Sequence, residues 1–420
     1  MTAALAEISL EQFARQLRTG RRIPLEGTLE TTFRCNLRCA HCYVNEAVGD
    51  ASEQARELSS ARILELIDEI AERGGLFLLL TGGEVLVRRD FAEVYLHALG
   101  RGLLVIVYTN GTLITDQVAD LFADNRPHFV EISLYGMTRE TYDKVTQIPG
   151  SFDKCMAGIE RLRARGVPFK LKTMALSWNY HEIGAMQEFA RELGVPFRYD
   201  SFLNPRVDCG ANRNGELQLS AEQAVQMDLR DPDRIDELRA YLERHARPLP
   251  EPIPNANVYT CGAGETGFTI DPYGNLQLCQ LSRKKSADVR EASFTKGWDE
   301  DLARFRTRPW QSNSVCRTCN LIALCASCPG AAEMETGDAE KLVPKFCEIT
   351  HGRVFALMGD GYGHRPDASC CLGEARPEGA RLDAPTPAAA GCGACSQPAA
   401  GPPALIQLGR RAPKPAQPAV

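Results

Sequence analysis

Three cysteines stand close together near the amino-terminal end of the sequence. The segment TTFRCNLRCAHCYVNE, residues 31–46, places Cys35, Cys39 and Cys42 within eight residues. Thiolates hold zinc in closed sites of four ligands, and most protein iron–sulfur clusters also take four cysteines. A set of three therefore indicates half of a zinc site, a distant fourth ligand, or a metal position left open for another molecule.

A second group of cysteines lies far along the chain. CGAGETGFTIDPYGNLQLC joins Cys261 to Cys279, and CRTCNLIALCASC then supplies four more before a last one follows. These five are Cys316, Cys319, Cys325, Cys328 and Cys347. Two C-x2-C pairs are the ordinary signature of a zinc ribbon, although the five residues between these pairs are few for one. Metal ligation is therefore expected here, with zinc and iron–sulfur chemistry both open.

Short apolar runs alternate with segments of helical period between residues 27 and 202. The helix that begins after Ser59 places Ile63, Leu66, Ile67 and Ile70 on one face, and similar helices are predicted around 90–100, 151–165 and 181–193. The predicted strands are the run that leads into Cys35, then LFLLL (76–80), LLVIVY (103–108), FVEISL (129–134), FKLKTM (169–174) and FRYDSF (197–202). About six strand–helix units require a parallel sheet, either open and doubly wound or closed into a full or partial barrel.

Polar or glycine-rich residues follow four of these strands. Cys35 follows the first, TGGE (81–84) the second and TNGT (109–112) the third, while Ser133 ends the fourth. The carboxyl ends of parallel strands meet at one edge of a sheet or barrel, where ligands bind. We therefore expect the four loops to form one site.

Composition limits the class of protein. The chain has 420 residues, of which 44% are hydrophobic, enough for a substantial core. A net charge of −6 with only short basic runs gives no nucleic-acid footprint. The longest apolar stretches are strand-length and no signal peptide is visible, so we expect a soluble cytoplasmic protein without a membrane partner. Sixteen cysteines in that compartment are not expected to form disulfides, which favours metal ligation.

The C-x3-C-x2-C spacing of Cys35, Cys39 and Cys42, together with the tripeptide Gly82-Gly83-Glu84, resembles the radical S-adenosylmethionine (SAM) superfamily. The resemblance implies a partial (β/α)6 TIM-like barrel in which the three thiolates hold a [4Fe–4S] cluster. One iron is then open to the amino and carboxylate groups of SAM. Family chemistry implies cleavage of SAM to a 5′-deoxyadenosyl radical that abstracts hydrogen, chemistry that the cofactor carries and the protein orients.

The same resemblance implies roles for the neighbouring residues. Gly82 and Gly83 let the backbone come close, and Glu84 accepts bonds from the methionine ammonium. His41 supplies a flat ring beside the adenine. Asn110 and Ser133 also contact the cosubstrate, and Lys144 substitutes for an arginine that many relatives carry near Thr146.

The second cysteine group resembles the seven-cysteine SPASM extension, which in relatives holds two auxiliary [4Fe–4S] clusters. The spacing from Cys325 to Cys328 is one residue shorter than in the usual pattern. By that pattern an outer cluster and an inner cluster are expected, with the ligands Cys316, Cys319, Cys325 and Cys347 for the outer one and Cys261, Cys279 and Cys328 for the inner one. The inner cluster is then one ligand short, and either Cys209 closes it or the open iron binds a substrate sulfur.

The expected organisation has five segments: an N-terminal extension (1–24), a radical SAM core barrel (25–205), a polar bridge (206–257) with one helix near Asp233–Glu243, a SPASM domain (258–355) and a disordered Pro/Ala/Gly-rich tail (366–420). Cys155 is predicted to be a buried core residue. The tail cysteines, Cys370, Cys371, Cys392 and Cys395, are predicted to be free thiols.

The resemblance implies a peptide or protein substrate, and the leading hypothesis is a maturase of a ribosomally synthesised peptide that forms a thioether, carbon–carbon or related crosslink. One alternative is an anaerobic sulfatase-maturing, formylglycine-generating enzyme, although Gln280 stands where those relatives carry an aspartate base. Another alternative is a non-catalytic iron–sulfur electron-transfer or metal-binding protein. The expected partners are a reductant such as flavodoxin or ferredoxin and a separate leader-peptide-binding protein.

Overall fold

A computed structural model describes most of the chain between residues 22 and 359. The described ranges are 22–44, 46–207, 214–245, 257–317, 319, 321–322, 324–325, 328–359 and 368. Cys209, the tail cysteines and nearly all of the N-terminal extension lie outside these ranges. The predictions made for them therefore remain predictions.

The sheet at the centre of the fold has nine strands in the order β11-β10-β9-β1-β4-β5-β6-β7-β8, and β2 and β3 form a separate short parallel pair. The strands are β1 (Glu26–Thr32), β2 (Arg34–Cys35), β3 (Glu46–Ala47), β4 (Phe77–Gly82), β5 (Leu104–Thr109), β6 (Phe129–Ser133), β7 (Phe169–Met174), β8 (Phe197–Asp200), β9 (Gly267–Ile270), β10 (Asn275–Gln277) and β11 (Ala287–Asp288).

The six strands predicted from the sequence are parallel neighbours in chain order, from β1 and β4 through β8. A doubly wound sheet would instead reverse its strand order at a switch point. The order therefore confirms the predicted partial barrel. The predicted strand boundaries differ from the observed ones by at most two residues.

Helices cover one face of the sheet. Ser59 caps the first predicted helix, since its side chain accepts a hydrogen bond from the Arg62 backbone, and the four apolar residues predicted to share a face are all buried. Three helices went unpredicted: Ala51–Arg56, which has no buried residue, and Asp116–Asp124 and Arg139–Thr146, whose buried faces are short. The helices between the barrel strands are Ala51–Arg56, Ser60–Glu72, Phe91–Gly100, Asp116–Asp124, Arg139–Thr146, Ser151–Ala164 and Ile183–Leu193.

The predicted bridge contains more structure than its polar composition indicated. Besides the expected helix, found at Pro232–His245, it forms Asn214–Leu217 and Ala221–Leu229. Ser220 and Gln223 form a reciprocal capping box, a sequence signal that was open to detection. Arg353 donates to Asp228 at 2.7 Å and ties this region to the helix Pro344–Met358.

The C-terminal cysteine-rich region is joined to the barrel sheet. β9 pairs in parallel with β1, and β10 and β11 extend the sheet by antiparallel pairing. Phe268, Phe294 and Trp298 are buried in the same hydrophobic core as the barrel strands. The remaining helical segments of this region are Phe294–Lys296, the π-helical turn Gly297–Leu302, Ala303–Arg306, Pro329–Thr336 and Pro344–Met358. None of the described helices has the length and apolar character required to cross a bilayer.

Candidate active site

The loop that carries the three barrel cysteines begins where β1 ends and is bonded to distant backbone. Glu84 N donates to Arg34 O at 3.0 Å, which fixes the loop against the end of β4. Arg38 N and Ala40 N donate to the carbonyl oxygens of Thr146 and Val145 at 3.0 and 2.9 Å. The last turn of the helix Arg139–Thr146 thus supplies acceptors that a helix end leaves unused.

Gly82 and Gly83 are required by this packing. A Cβ at Gly82 would stand 2.0 Å from Thr32 O, and Gly82 has a φ of +136°. A Cβ at Gly83 would stand 2.5 Å from the carbonyl oxygens of Phe33 and Arg34. The two glycines therefore allow the backbone of the cysteine loop to lie close against the end of β4.

The thiols of Cys35, Cys39 and Cys42 lie close enough to affect one another. Burial, followed by the Glu84 carboxylate, raises the pKa of Cys35 to about 12. Burial and then the charges of Cys42 and Cys35 raise the pKa of Cys39, and burial raises that of Cys42. Three neighbouring, partly buried thiols with raised pKa values need a positive centre to become thiolates, so the donor set fits a metal cluster.

A single metal ion and a cluster place different demands on these thiols. Within the described ranges, no three His, Cys, Asp or Glu side chains converge as ligands of one metal ion would. A [4Fe–4S] cluster takes its thiolates on separate irons, so its ligands need not converge in that way.

Glu84 is buried and already holds three donors from its own chain. Oε1 accepts from Leu86 N at 3.1 Å and from Thr109 Oγ1 at 2.8 Å, and Oε2 accepts from Asn110 N at 2.7 Å. Burial raises the pKa of Glu84 to about 6, against the effect of these hydrogen bonds. A carboxylate has about four lone-pair sites, so one remains for an ammonium group.

Asn110 connects the loop after β5 with the cysteine loop. Its Nδ2 donates to Asn36 Oδ1 at 2.9 Å and lies 3.8 Å from Cys35 Sγ. Asn36 Nδ2 in turn donates to Thr112 Oγ1 at 2.8 Å. The structure therefore brings the TGGE and TNGT loops to the cysteines, as the strand pattern predicted.

His41 and Ser133 meet at Tyr135, a residue that the sequence did not single out. The rings of His41 and Tyr135 are 4.9 Å apart, edge to face. Tyr135 also lies near Cys39 and Ser133: beside the larger effect of burial, Tyr135 lowers the pKa of the Cys39 thiol and the Ser133 side chain lowers the pKa of Tyr135. His41 Nδ1 is buried and has no hydrogen-bond partner among the described residues, so a polar ligand group would satisfy it. The only signal for Tyr135 was its position two residues beyond a strand end.

Lys144 has a different environment from the one predicted for it. Its side chain is exposed, and the ammonium lies 4.7 Å from the centre of the Trp178 ring. Thr146 is buried, and its Oγ1 forms a hydrogen bond with Ser151 Oγ at 2.6 Å. The proposed replacement of an arginine by Lys144 therefore has no geometric support and stays a prediction.

A buried ion-pair network joins the cysteine loop to the loop after Glu84. The Glu57 carboxylate accepts from Arg34 Nε at 2.9 Å and Nη2 at 3.0 Å, and from Arg88 Nη1 at 3.4 Å. The three side chains are only 5–7% exposed. Arg34 directly precedes Cys35, so Glu57 positions the loop that carries the first cysteine.

The C-terminal cysteines lie in two groups. The pKa of Cys279 is raised to about 11 by burial and then by Cys328 and Cys261, which places these three together. Burial, then Cys325, Cys316 and Cys319, raises the pKa of Cys347. The inner and outer ligand sets expected from the SPASM resemblance are drawn from these same residues, and the clusters that they would hold stay a prediction. Cys155 is buried in the core, as predicted.

A second buried ion pair lies between the two cysteine regions. Arg283 Nη1 and Nη2 donate to Glu30 at 2.6 and 3.1 Å, and Gln280 Nε2 donates to Glu30 at 3.3 Å. Gln280 Nε2 is also 3.5 Å from the Tyr43 hydroxyl. Gln280 follows Cys279 and Tyr43 follows Cys42, so this pair connects the barrel site with the inner group.

Comparison with known proteins agrees with this geometry. Family models match residues 29–190 as the Radical SAM superfamily and residues 261–320 as the SPASM iron–sulfur cluster-binding domain. The AdoMet-dependent heme synthase of Methanosarcina barkeri is 28% identical over 324 residues, 74% of this chain and 92% of that protein. The mycofactocin maturase MftC of Mycobacterium ulcerans is 30% identical over 352 residues, 80% of this chain and 90% of that protein.

The solved structure of Streptococcus suis SuiB superimposes with a TM-score of 0.60 over 80% of each chain. Its sequence identity of 14% makes this a likeness of fold. The relatives are synthases and maturases, and their alignments span most of both chains. The chain belongs to the radical SAM superfamily of enzymes and carries a SPASM iron–sulfur cluster-binding domain.

Proposed function

We propose that this enzyme matures a ribosomally synthesised peptide by forming a thioether, carbon–carbon or related crosslink. The observation that carries the proposal is the similarity to the Mycobacterium ulcerans mycofactocin maturase over 90% of that protein's length. The SuiB fold adds support, since one of its structures is described as bound to the precursor peptide SuiA. The substrate of this chain is thus a peptide or protein that supplies a hydrogen for abstraction.

In this proposal Cys35, Cys39 and Cys42 hold a [4Fe–4S] cluster with one iron open to SAM. When bound there, cluster and SAM supply a 5′-deoxyadenosyl radical. The residues of the chain would position the cosubstrate and shield it from solvent. Glu84 accepts a bond from the methionine ammonium through its remaining lone pair, and His41 offers Nδ1 to the cosubstrate.

The C-terminal groups are proposed to hold two auxiliary [4Fe–4S] clusters. Cys316, Cys319, Cys325 and Cys347 give the outer one a full set of four thiolates. Cys261, Cys279 and Cys328 give the inner one three, and Cys209 or a substrate sulfur completes it. A cytoplasmic reductant such as flavodoxin or ferredoxin and a separate leader-peptide-binding protein complete the proposed system.

A second candidate is modification of a tetrapyrrole. The Methanosarcina barkeri heme synthase matches at 28% identity over 92% of its length, which is as extensive as the maturase match. The sulfatase-maturing alternative is less well supported, because Gln280 donates to Glu30 and offers no carboxylate base. Membership of an enzyme superfamily argues against the non-catalytic alternative.

The test is anaerobic reconstitution followed by two product assays. Reduced protein with SAM is expected to release 5′-deoxyadenosine, and a small peptide encoded beside the gene is expected to lose two or more hydrogens by mass spectrometry. Fe-coproporphyrin III serves as the comparison substrate. Conversion of the tetrapyrrole with no change in the peptide would replace the proposed function by the second candidate.

A further inference from the structure

The inner face of the barrel between β5 and β8 carries charge. Val130 and Ile132 on β6 and Leu171 on β7 are buried in the core beneath the helices. Successive side chains of a strand point to opposite faces. Glu131 and Lys172 therefore lie on the other face, toward the barrel interior.

This interior group contains more cations than anions. The Glu131 carboxylate pairs with Arg198 Nε and Nη2 at 2.7 and 2.6 Å and with Lys172 Nζ at 3.2 Å. Lys170 adds a third cation on the same face of β7, with its ammonium 3.8 Å from the centre of the Phe129 ring. Among the described residues of this group, the Glu131 carboxylate therefore balances only one of the three cations.

Two further polar side chains, those of Tyr108 and Asp200, lie on the strands that flank Glu131 and Lys172. The Tyr108 ring lies under the Lys172 ammonium at 3.3 Å, and its hydroxyl accepts from Arg198 at 3.3 Å. Asp200 ends β8, where its carboxylate accepts from Phe202 N at 2.9 Å and also interacts with Lys345. Asp200 is thus engaged by its own loop, and the excess positive charge beside Glu131 remains.

Charged side chains are unusual in the interior of a barrel. The interior of a closed (β/α)8 barrel is a packed core of apolar side chains, because a charge there loses its hydration. Here Arg198 is 53% exposed on the last strand of the sheet, and Lys172 is 21% exposed. The interior is therefore reached by solvent from the β8 edge, and an anionic ligand can reach it by the same route.

The group lies beside the proposed cosubstrate residues. Lys172 is the register partner of Ser133, and Tyr108 immediately precedes Thr109, which bonds Glu84. A ligand held by Lys172 would thus be at the level of the strand ends where the radical is generated in the proposed function.

We infer that Lys172 and Arg198 form a subsite for a carboxylate group of the substrate. The inference deepens the proposed function and rests on it for the identity of that substrate, a peptide with a free carboxylate. Arginine and lysine together give a carboxylate charge-assisted hydrogen bonds. The cations stay paired with Glu131 until the substrate arrives.

The experiment uses the full chain, reconstituted anaerobically with iron and sulfide. Two probes are titrated in the presence of SAM: acetyl-Ala-Ala-Phe-Ala with a free carboxylate and the same peptide as its carboxamide. Coproporphyrin III, a tetrapyrrole with four carboxylates, is titrated by its absorption. The variants are Lys172→Met, Arg198→Met, the charge-preserving Lys172→Arg and the control Arg191→Met, which removes an exposed cation on an outer helix.

The wild type is expected to bind the acid at least fivefold more tightly than the amide. Lys172→Met and Arg198→Met should abolish that preference, while Lys172→Arg and Arg191→Met keep it. Tetrapyrrole binding that depends on Lys172, with no peptide preference, would support the carboxylate subsite and contradict the peptide substrate. The inference is overturned if neither probe depends on Lys172, or if Lys172→Met weakens SAM binding without any probe, because the anion would then be the cosubstrate's own carboxylate.

Discussion

Cys35, Cys39 and Cys42 lie in a loop whose backbone is bonded to residues far away in the sequence, whereas the described backbone bonds around the outer C-terminal cysteines are local turns. Ala40 N reaches Val145 O, more than a hundred residues away. Cys325 N bonds to Leu321 O and Ile322 N to Cys319 O. Long-range backbone bonds hold the barrel loop in place before any cofactor binds, whereas the turn at the outer cysteines is held to the fold by side-chain packing, with Leu321 buried against Leu242 and Val354.

The difference indicates two ways of building a cluster site. In the barrel the protein is organised first, and the cluster enters a site of partly buried thiols. In the C-terminal region metal binding and folding are expected to be coupled, as in small metal-binding domains. The following predictions test that contrast.

Replacing Cys35, Cys39 and Cys42 together by alanine is expected to abolish SAM cleavage and remove one cluster while leaving the auxiliary clusters. The reason is that these thiols serve only the barrel site. Iron analysis and 5′-deoxyadenosine release measure the two effects, with Cys155→Ala as the control. Cleavage at the normal rate in the triple variant would contradict the assignment.

Removal of iron is expected to raise amide hydrogen exchange mainly in the C-terminal cysteine-rich region. Amide hydrogen exchange at Val315–Arg317, Cys319 and Cys325 should rise toward the rate of unstructured peptide, because the turns there lose the clusters that join them. Exchange in β4, β5 and β6 should change little. Equal loss of protection in the barrel strands and in the C-terminal region would contradict the proposed difference between the two cluster sites.

Glu57→Gln is expected to lower the free energy of unfolding by about 3–5 kcal/mol, since it leaves the buried Arg34 without its carboxylate partner, while Arg88 keeps its ion pair with Asp90. Glu65→Gln, at a side chain 64% exposed and paired with Arg62, should cost about 0–1 kcal/mol. Chemical denaturation of the iron-free proteins gives both values. Equal costs would mean that the network does not hold the cysteine loop.

Gly82→Ala is expected to cost about 1–3 kcal/mol and to displace the cysteine loop, because the new Cβ would meet Thr32 O and the residue has a positive φ. Gly100→Ala meets nothing within 4 Å and should be neutral or stabilising by up to about 1 kcal/mol. Thermal unfolding and the paramagnetic resonance spectrum of the barrel cluster report the two effects. An unchanged spectrum in Gly82→Ala would show that the loop absorbs the clash.

Glu84→Gln is expected to weaken SAM binding by about tenfold, since a carboxylate–ammonium bond is charge-assisted and contributes about 1.5–3 kcal/mol. Equilibrium dialysis of the reconstituted variant measures the dissociation constant. Glu93→Gln, on the helix Phe91–Gly100, is the matched control. An unchanged constant would assign Glu84 solely to the bonds with Leu86, Thr109 and Asn110.

Local patterns in the sequence were enough for the barrel strands and for four of the seven helices between them, whereas the choice of a barrel over an open sheet came from the family resemblance. Alternating apolar runs and the Ser59 cap depend on residues within a few positions of one another, so they can be recognised without the fold. Both cysteine groups and the Gly82-Gly83-Glu84 tripeptide were visible for the same reason. The helix Ala221–Leu229 was not predicted although its capping box is local, because a capping box is a weak signal within a polar, proline-containing segment.

The sequence by itself determined the superfamily, the parallel sheet and the cysteines available for clusters, because spacing and periodicity are properties of neighbouring residues. Only the tertiary structure decided that Tyr135 meets Cys39, that Glu57 joins Arg34 and Arg88, and that β9 extends the barrel sheet. It also decided that the interior beside Glu131 is cationic. These contacts join residues from separate elements, and only the assembly of the strands and loops into one sheet, which no local pattern encodes, brings them together.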